Sequence, residues 1–169
     1  MLPIEGVTRR VGACDSNGAT AAAQPKRLVL DTNTLLDWWV FGDAAARAVG
    51  AAIAERQAHW LTTPRMLAEL RAVLMRPLAA RWEPARELAL TFKLAGLAVL
   101  CTEPAAVRRL VCRDASDQVF IDLACEQGPA VLLTRDRALL ALRRRALAFG
   151  VVIATAAVWC RSEHEKGGP

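Results

Sequence analysis

The feature that most constrains this chain is a recurring pair: a short apolar run, then a longer stretch with helical periodicity. The runs are Leu28-Val29-Leu30, His59-Trp60-Leu61, Ala98-Val99-Leu100-Cys101, Ala130-Val131-Leu132-Leu133 and Val151-Val152-Ile153. Runs this short and this apolar read as strands buried on both faces, and their alternation with helices is the pattern of a parallel sheet covered on both sides. The predicted fold class is therefore α/β, a three-layer α/β/α arrangement around a central parallel sheet of about four or five strands.

Local signals place the helices. Thr34 to Trp39 reads as one or two helical turns, and Asp43 caps an alanine-rich helix to Arg56. Thr63-Pro64 is a helix start, with Thr as the cap and Pro at the first helical position. Met66, Leu67, Leu70, Val73 and Leu74 follow at helical spacing. Further helices are predicted from Glu83 to Leu97, after Pro104, from Asp117 to Gln127 with Ser116 as cap, and from Asp136 to Phe149, ended by Gly150. Residues 1–25, small and polar without periodicity, are expected to be a flexible leader. The folded domain is expected at 26–161, and the charged residues 162–169 as a flexible tail.

Composition narrows the function classes. A net charge of +5, carried almost wholly by arginine, favours an anionic partner and suits phosphate oxygens. The five cysteines form no CxxC pair and only His59 and His164 accompany them, so neither a zinc site nor a disulfide framework is expected. Arg9-Arg10 has no apolar h-region after it, and no stretch of about 20 apolar residues occurs. A cytoplasmic protein that makes no membrane contact is the expectation.

Acids stand where ligands bind such a sheet, outside the carboxyl ends of its strands. Asp31 directly follows the first run, and Asp136 lies three residues past Leu133. Glu69 sits on a largely apolar helix flank, where carboxylates rarely lie unless paired or metal-bound. Each acid also has a plainer role: Asp31, Asp117 and Asp136 as helix caps, Glu69 as a solvated residue. Together they would repel strongly, by about 4 kcal/mol for two charges about 4 Å apart at an effective dielectric of 20. A converging set therefore predicts bound cations, or at least one carboxyl holding its proton well above the usual range. Oxygen donors without His or Cys suit Mg²⁺ or Mn²⁺.

Four blocks resemble the PIN-domain family in order and spacing: Leu28-Val29-Leu30-Asp31-Thr32-Asn33, Met66-Leu67-Ala68-Glu69-Leu70, Arg113-Asp114-Ala115-Ser116-Asp117-Gln118, and Leu132-Leu133-Thr134-Arg135-Asp136. They span about residues 27–155, and the chain is most similar to the branch that supplies toxins of toxin–antitoxin systems. The resemblance implies a metal-dependent endoribonuclease, with Asp31, Glu69, Asp117 and Asp136 as catalytic residues and ligands of one or two Mg²⁺ or Mn²⁺ ions. It makes Asn33 an orienter of Asp31 or of a bound water, places Thr134 beside the metal, and leaves Asp114 as a helper. RNA would be the substrate, gripped by Arg65, Arg71, Arg113, Arg135 and Arg137. An antitoxin protein and a homodimer are the implied partners. Relatives often carry further acids where this chain has Ala115, Ser116 and Ala138, which leaves the number of metals open.

Two other readings compete. Asp31-Thr32-Asn33-Thr34 is one residue from the nucleophile loop of haloacid-dehalogenase-like phosphatases, but Asn33 cannot serve as that class's second acid and Lys93 has no supporting motif. The other rival is an inactive PIN scaffold that binds RNA or a protein. Two features stay undecided at this level. Trp38, Trp39 and Phe41 read as core or as an interaction surface, and Arg143-Arg144-Arg145 as RNA contact or solvated surface.

Overall fold

The computed structural model describes residues 25–77, 79–91, 96–105 and 110–166. Residues 1–24 of the expected leader, the segment after Pro104 at 106–109, and Lys93 lie outside the described residues. Five strands form one sheet: β1 (Lys26–Leu30), β2 (Ala58–Thr62), β3 (Ala98–Leu100), β4 (Ala130–Leu133) and β5 (Val151–Ala154). All pairs are parallel, in the order β3-β2-β1-β4-β5. All five predicted strands are present.

The central strands alternate between two cores. On one face Val29, Leu61 and Leu132 pack with α5 (Gln118–Glu126), α6 (Arg137–Ala141) and α7 (Arg143–Ala146). On the other, Leu28, Leu30, Trp60 and Leu133 meet α1 (Thr32–Leu36), α2 (Ala44–Ala54), α3 (Pro64–Leu74), α4 (Glu83–Thr91) and α8 (Ala156–Lys166). A side-chain period of two sends neighbouring residues of one strand into opposite cores, giving three layers. No helix among the described residues is long and apolar enough to cross a membrane.

Between α1 and α2 the chain makes a π-helical turn, Asp37–Phe41. It turns the aromatic cluster inward: Trp39 meets Trp60 edge-on with ring centroids 5.7 Å apart, and Phe41 meets Trp82 at 5.3 Å. Trp38 lies so close to α2 that a Cβ on Gly50 would stand 2.0 Å from its ring. Trp38, Trp39 and Phe41, each half-buried, thus pack against this core.

Three local expectations are corrected. The helix predicted over 136–149 is interrupted: α6 ends at Ala141, Leu142 (φ −82°, ψ −7°, still right-handed helical) forms a turn, and a single helical turn, α7, follows. Ser116 does not cap α5; its amide and hydroxyl both bond Asp114, and Asp117 takes the cap position. The tail expected to be loose from 162 is helical to Lys166. Trp159 buries one side of α8 in the core, and Glu163 pairs with Lys26 at the start of β1.

Candidate active site

The strand order reverses between β1 and β4, so the chain leaves their adjacent carboxyl ends in different directions and opens a crevice there. The Asp31 amide donates to Leu133 O at 3.1 Å, and Thr34 Oγ1 donates to the same carbonyl at 3.0 Å. These bonds lock the first acid block against the fourth.

Asp31 is 3% exposed. Its Oδ1 accepts from the Thr34 amide at 2.6 Å, capping α1, and its Oδ2 accepts from Thr134 Oγ1 at 2.5 Å. Burial raises its pKa, against the opposing pull of the two threonines and the nearby charge of Arg135. Thr134, wholly buried, also accepts from the Asp136 amide at 2.9 Å, so one hydroxyl bridges the first and fourth acids. Asp136 caps α6 through Oδ1 alone, which accepts from Ala138 at 2.6 Å and Leu139 at 3.1 Å. Capping and site roles are therefore compatible: the cap bonds orient each carboxylate while lone pairs remain.

Glu69 projects from α3 toward the same end. Its Oε1 accepts from the hydroxyl of Thr32, the residue after Asp31, at 3.3 Å. The third block supplies Asp117, whose side chain makes no cap bond on α5. Its pKa is pushed up to about 6, chiefly by burial, then by the charges of Asp136, Asp114, Asp31 and Glu69. Asp117 thus feels the charge of all four acids. The loop carrying it is tied down by Gln118, which accepts from the Cys112 amide at 2.8 Å and donates to Leu110 O at 2.7 Å and Asp122 at 2.8 Å. An open cleft of about 420 Å³, lined by Arg113, Asp114, Ala115, Asp136 and Ala138, runs beside these acids.

The acids thus come within electrostatic reach of one another. Among the described residues, however, no three Asp, Glu, His or Cys side chains close into a ready-made metal cage. Donor chemistry still fits a hard divalent cation, because the set is all carboxylate and its mutual repulsion is what a cation relieves. Approach close enough to repel is a weaker condition than shared coordination, so side-chain rotation must complete any cage.

The supporting residues divide. Thr134 lies at the centre of the site, while Asn33 is exposed and neither oxygen of Asp31 is bonded to it. Asp114 folds back on Ser116, which lowers its pKa. Arg113 lines the cleft. Arg65 and Arg71 are exposed on α3, and the Arg65 amide is held by Glu103 at 2.8 Å. Arg135 is engaged by Asp37, Nε to Oδ2, at 2.7 Å. Asp37 was not singled out from sequence, although the signal used for Glu69 applied: it is an acid within an apolar run, between Leu36 and Trp38.

Among comparisons with known proteins, the family model described as PIN domain matches residues 27–138, two thirds of the chain. The matched segment contains all four acid blocks and stops two residues past Asp136. No curated protein matches the chain.

Proposed function

The chain belongs to the PIN-domain family, and on that premise we propose that it is a Mg²⁺- or Mn²⁺-dependent endoribonuclease and the toxin of a toxin–antitoxin pair. PIN domains are in general nucleases, so the family supports hydrolysis of a nucleic-acid phosphodiester bond. The observation that carries the metal-dependent reading is Asp117, pushed up to about 6 by burial and by four neighbouring acids. The toxin assignment, with an antitoxin and a homodimer as partners, is supported by the resemblance of the four motif blocks alone.

Asp31, Glu69, Asp117 and Asp136 would hold one or two ions. A divalent cation there would activate a water and offset charge on the phosphate. The chain's own residues do the rest. Thr134 and the Thr34 amide fix the Asp31 carboxylate, and the α6 amides fix that of Asp136. Asp117, which makes no cap bond on α5, would order the attacking water and take up its proton. As that water bonds to phosphorus, the P–O bond to the leaving ribose oxygen breaks. Arg113, which lines the cleft, would contact a phosphate oxygen.

The test is cleavage of end-labelled single-stranded RNA and of the matching DNA, each with Mn²⁺, with Mg²⁺ and with EDTA. The expected result is internal cleavage of RNA that EDTA abolishes. Cleavage of DNA alone would overturn the substrate, and undiminished cleavage in EDTA the metal dependence. Metal-dependent binding without cleavage would favour the inactive scaffold.

A further inference from the structure

Beside the acid cleft lies a second concavity, lined by Arg137, Leu140, Ala141, Arg143 and Arg144, with a volume of about 380 Å³. All three arginines are exposed, and none forms an ion pair with an acid among the described residues. Three unpaired guanidinium groups around one hollow repel one another, an arrangement that an anion relieves. A plainer role exists, since cations near the end of α7 oppose its dipole, but α7 is a single turn and Arg137 is not on it.

Position selects the anion. Asp136 and Ala138 line the acid cleft, and Arg137 between them lines the basic hollow. The start of α6 is thus a rib with the Asp136 carboxylate on one side and the Arg137 guanidinium on the other. Arg137 directly follows Asp136, so a strand leaving the acids over this face of α6 would meet Arg137 before Arg143 and Arg144. Arg137, Leu140, Ala141 and Arg144 follow one another at the i, i+3, i+4, i+7 spacing of one helix face, which the helical backbone of Leu142 carries on into α7. Arg145, next in sequence, does not line the hollow.

We propose that this hollow is a backbone subsite, in which Arg137, Arg143 and Arg144 bind the phosphates of the single-stranded RNA flanking the bond to be cut. The proposal rests on the ribonuclease reading, but its readout is binding and does not depend on cleavage.

The experiment is fluorescence anisotropy of a labelled single-stranded RNA in EDTA, from about 50 to 200 mM salt. It compares wild type, R143Q/R144Q, and the charge-matched control R145Q/R161Q, whose residues are exposed and outside the hollow. Equal melting temperatures establish that folded proteins are compared. R143Q/R144Q is expected to weaken binding about tenfold at the lowest salt. It should also flatten the slope of log K against log salt by about 1.4, the value for two lost phosphate contacts on a single strand. The control should keep the wild-type slope. Equal losses in both double variants would reduce the effect to net charge and overturn the subsite, as would an unchanged slope in R143Q/R144Q. A polyglutamate peptide that binds wild type more tightly than RNA does, and depends on Arg143 and Arg144, would overturn it in favour of an acidic protein partner. Failure of wild type to cleave RNA would remove the nuclease reading while leaving these binding outcomes intact.

Discussion

Asp37 Oδ2 holds Arg135 by its Nε at 2.7 Å, joining the π-helical turn after α1 to the residue between Thr134 and Asp136. Burial raises the pKa of Asp37, and the Arg135 charge opposes the rise. The same guanidinium favours the ionised form of Asp31. Because Asp37 grips Nε, the two Nη groups keep their donors for a phosphate.

Asp37→Asn is therefore expected to raise KM for RNA several-fold, with kcat changed less than twofold. Arg135→Lys should resemble Arg135→Ala, since a point charge cannot use Nε and Nη together. The destabilisation from Arg135→Ala should stay near 1 kcal/mol, because the arginine is more than half exposed. Steady-state kinetics and thermal melts check both; wild-type kinetics in Arg135→Lys would reduce the pair to a surface contact.

Thr134→Val removes the hydroxyl that bridges Asp31 and the Asp136 amide, leaving a buried acceptor and a half-buried donor unpaired. The expected cost is about 1–3 kcal/mol, a fall in Tm of several degrees, and Thr134→Ser should restore most of it. A Val variant as stable as wild type would show that the bridge contributes nothing.

The pH dependence follows from the raised acids. Asp117 holds its proton in the folded state up to about pH 6, above the usual carboxylate range in the unfolded chain. The folded state therefore binds more protons between the two pKa values. This contribution to stability is full below the unfolded pKa and is lost as pH rises through about 6. Asp31 and Asp37 shift in the same direction, whereas Asp114, with a lowered pKa, contributes stability that is lost on acidification. Without metal, Asp117→Asn should raise Tm relative to wild type at pH 7.5 and converge with it near pH 4. Mn²⁺ should raise the wild-type Tm at pH 7.5 and the variant's less. Identical pH profiles for the two proteins would mean that Asp117 is an ordinary solvated acid.

Gly50→Ala tests the aromatic side of the core. The new methyl would meet the Trp38 ring at 2.0 Å, so ring and helix must separate. The gain in helix propensity is about 1 kcal/mol, against an overpacking cost of about 1–3 kcal/mol, and a net loss is expected. An increase in Tm would show that Trp38 moves aside freely.

Strand positions were readable from sequence because each is a contiguous apolar run, and apolar burial on both faces leaves little else that such a run can do. The caps at Asp43 and Thr63 were equally local, one side chain satisfying one backbone amide. The interruption at Leu142 was not readable, since neither Gly nor Pro marks it and the backbone there stays helical. Helix α8 was missed because one buried residue, Trp159, holds a segment whose other residues are mostly charged or small. In the site, Asp31 and Asp136 stood out through strand ends and Glu69 through its apolar flank, whereas Asp117 was singled out only by the resemblance of its block to the PIN family. Asp37 carried the same local signal as Glu69, but its pairing with Arg135 and the Thr32–Glu69 bond depend on contacts across the fold that no local pattern encodes.

The central claim is that the acids gathered at the β1/β4 crevice carry metal-dependent RNA hydrolysis, and Asp31→Asn tests it most directly. The amide keeps the shape and the bond from the Thr34 amide but removes the charge at the most buried of the four positions. Initial rates of RNA cleavage would be measured for wild type and Asp31→Asn across a Mn²⁺ titration, with circular dichroism confirming equal folding. The predicted result is a rate at least about 100-fold lower in the variant at every Mn²⁺ concentration, with the fold retained. Wild-type rates with an unchanged Mn²⁺ dependence would contradict it.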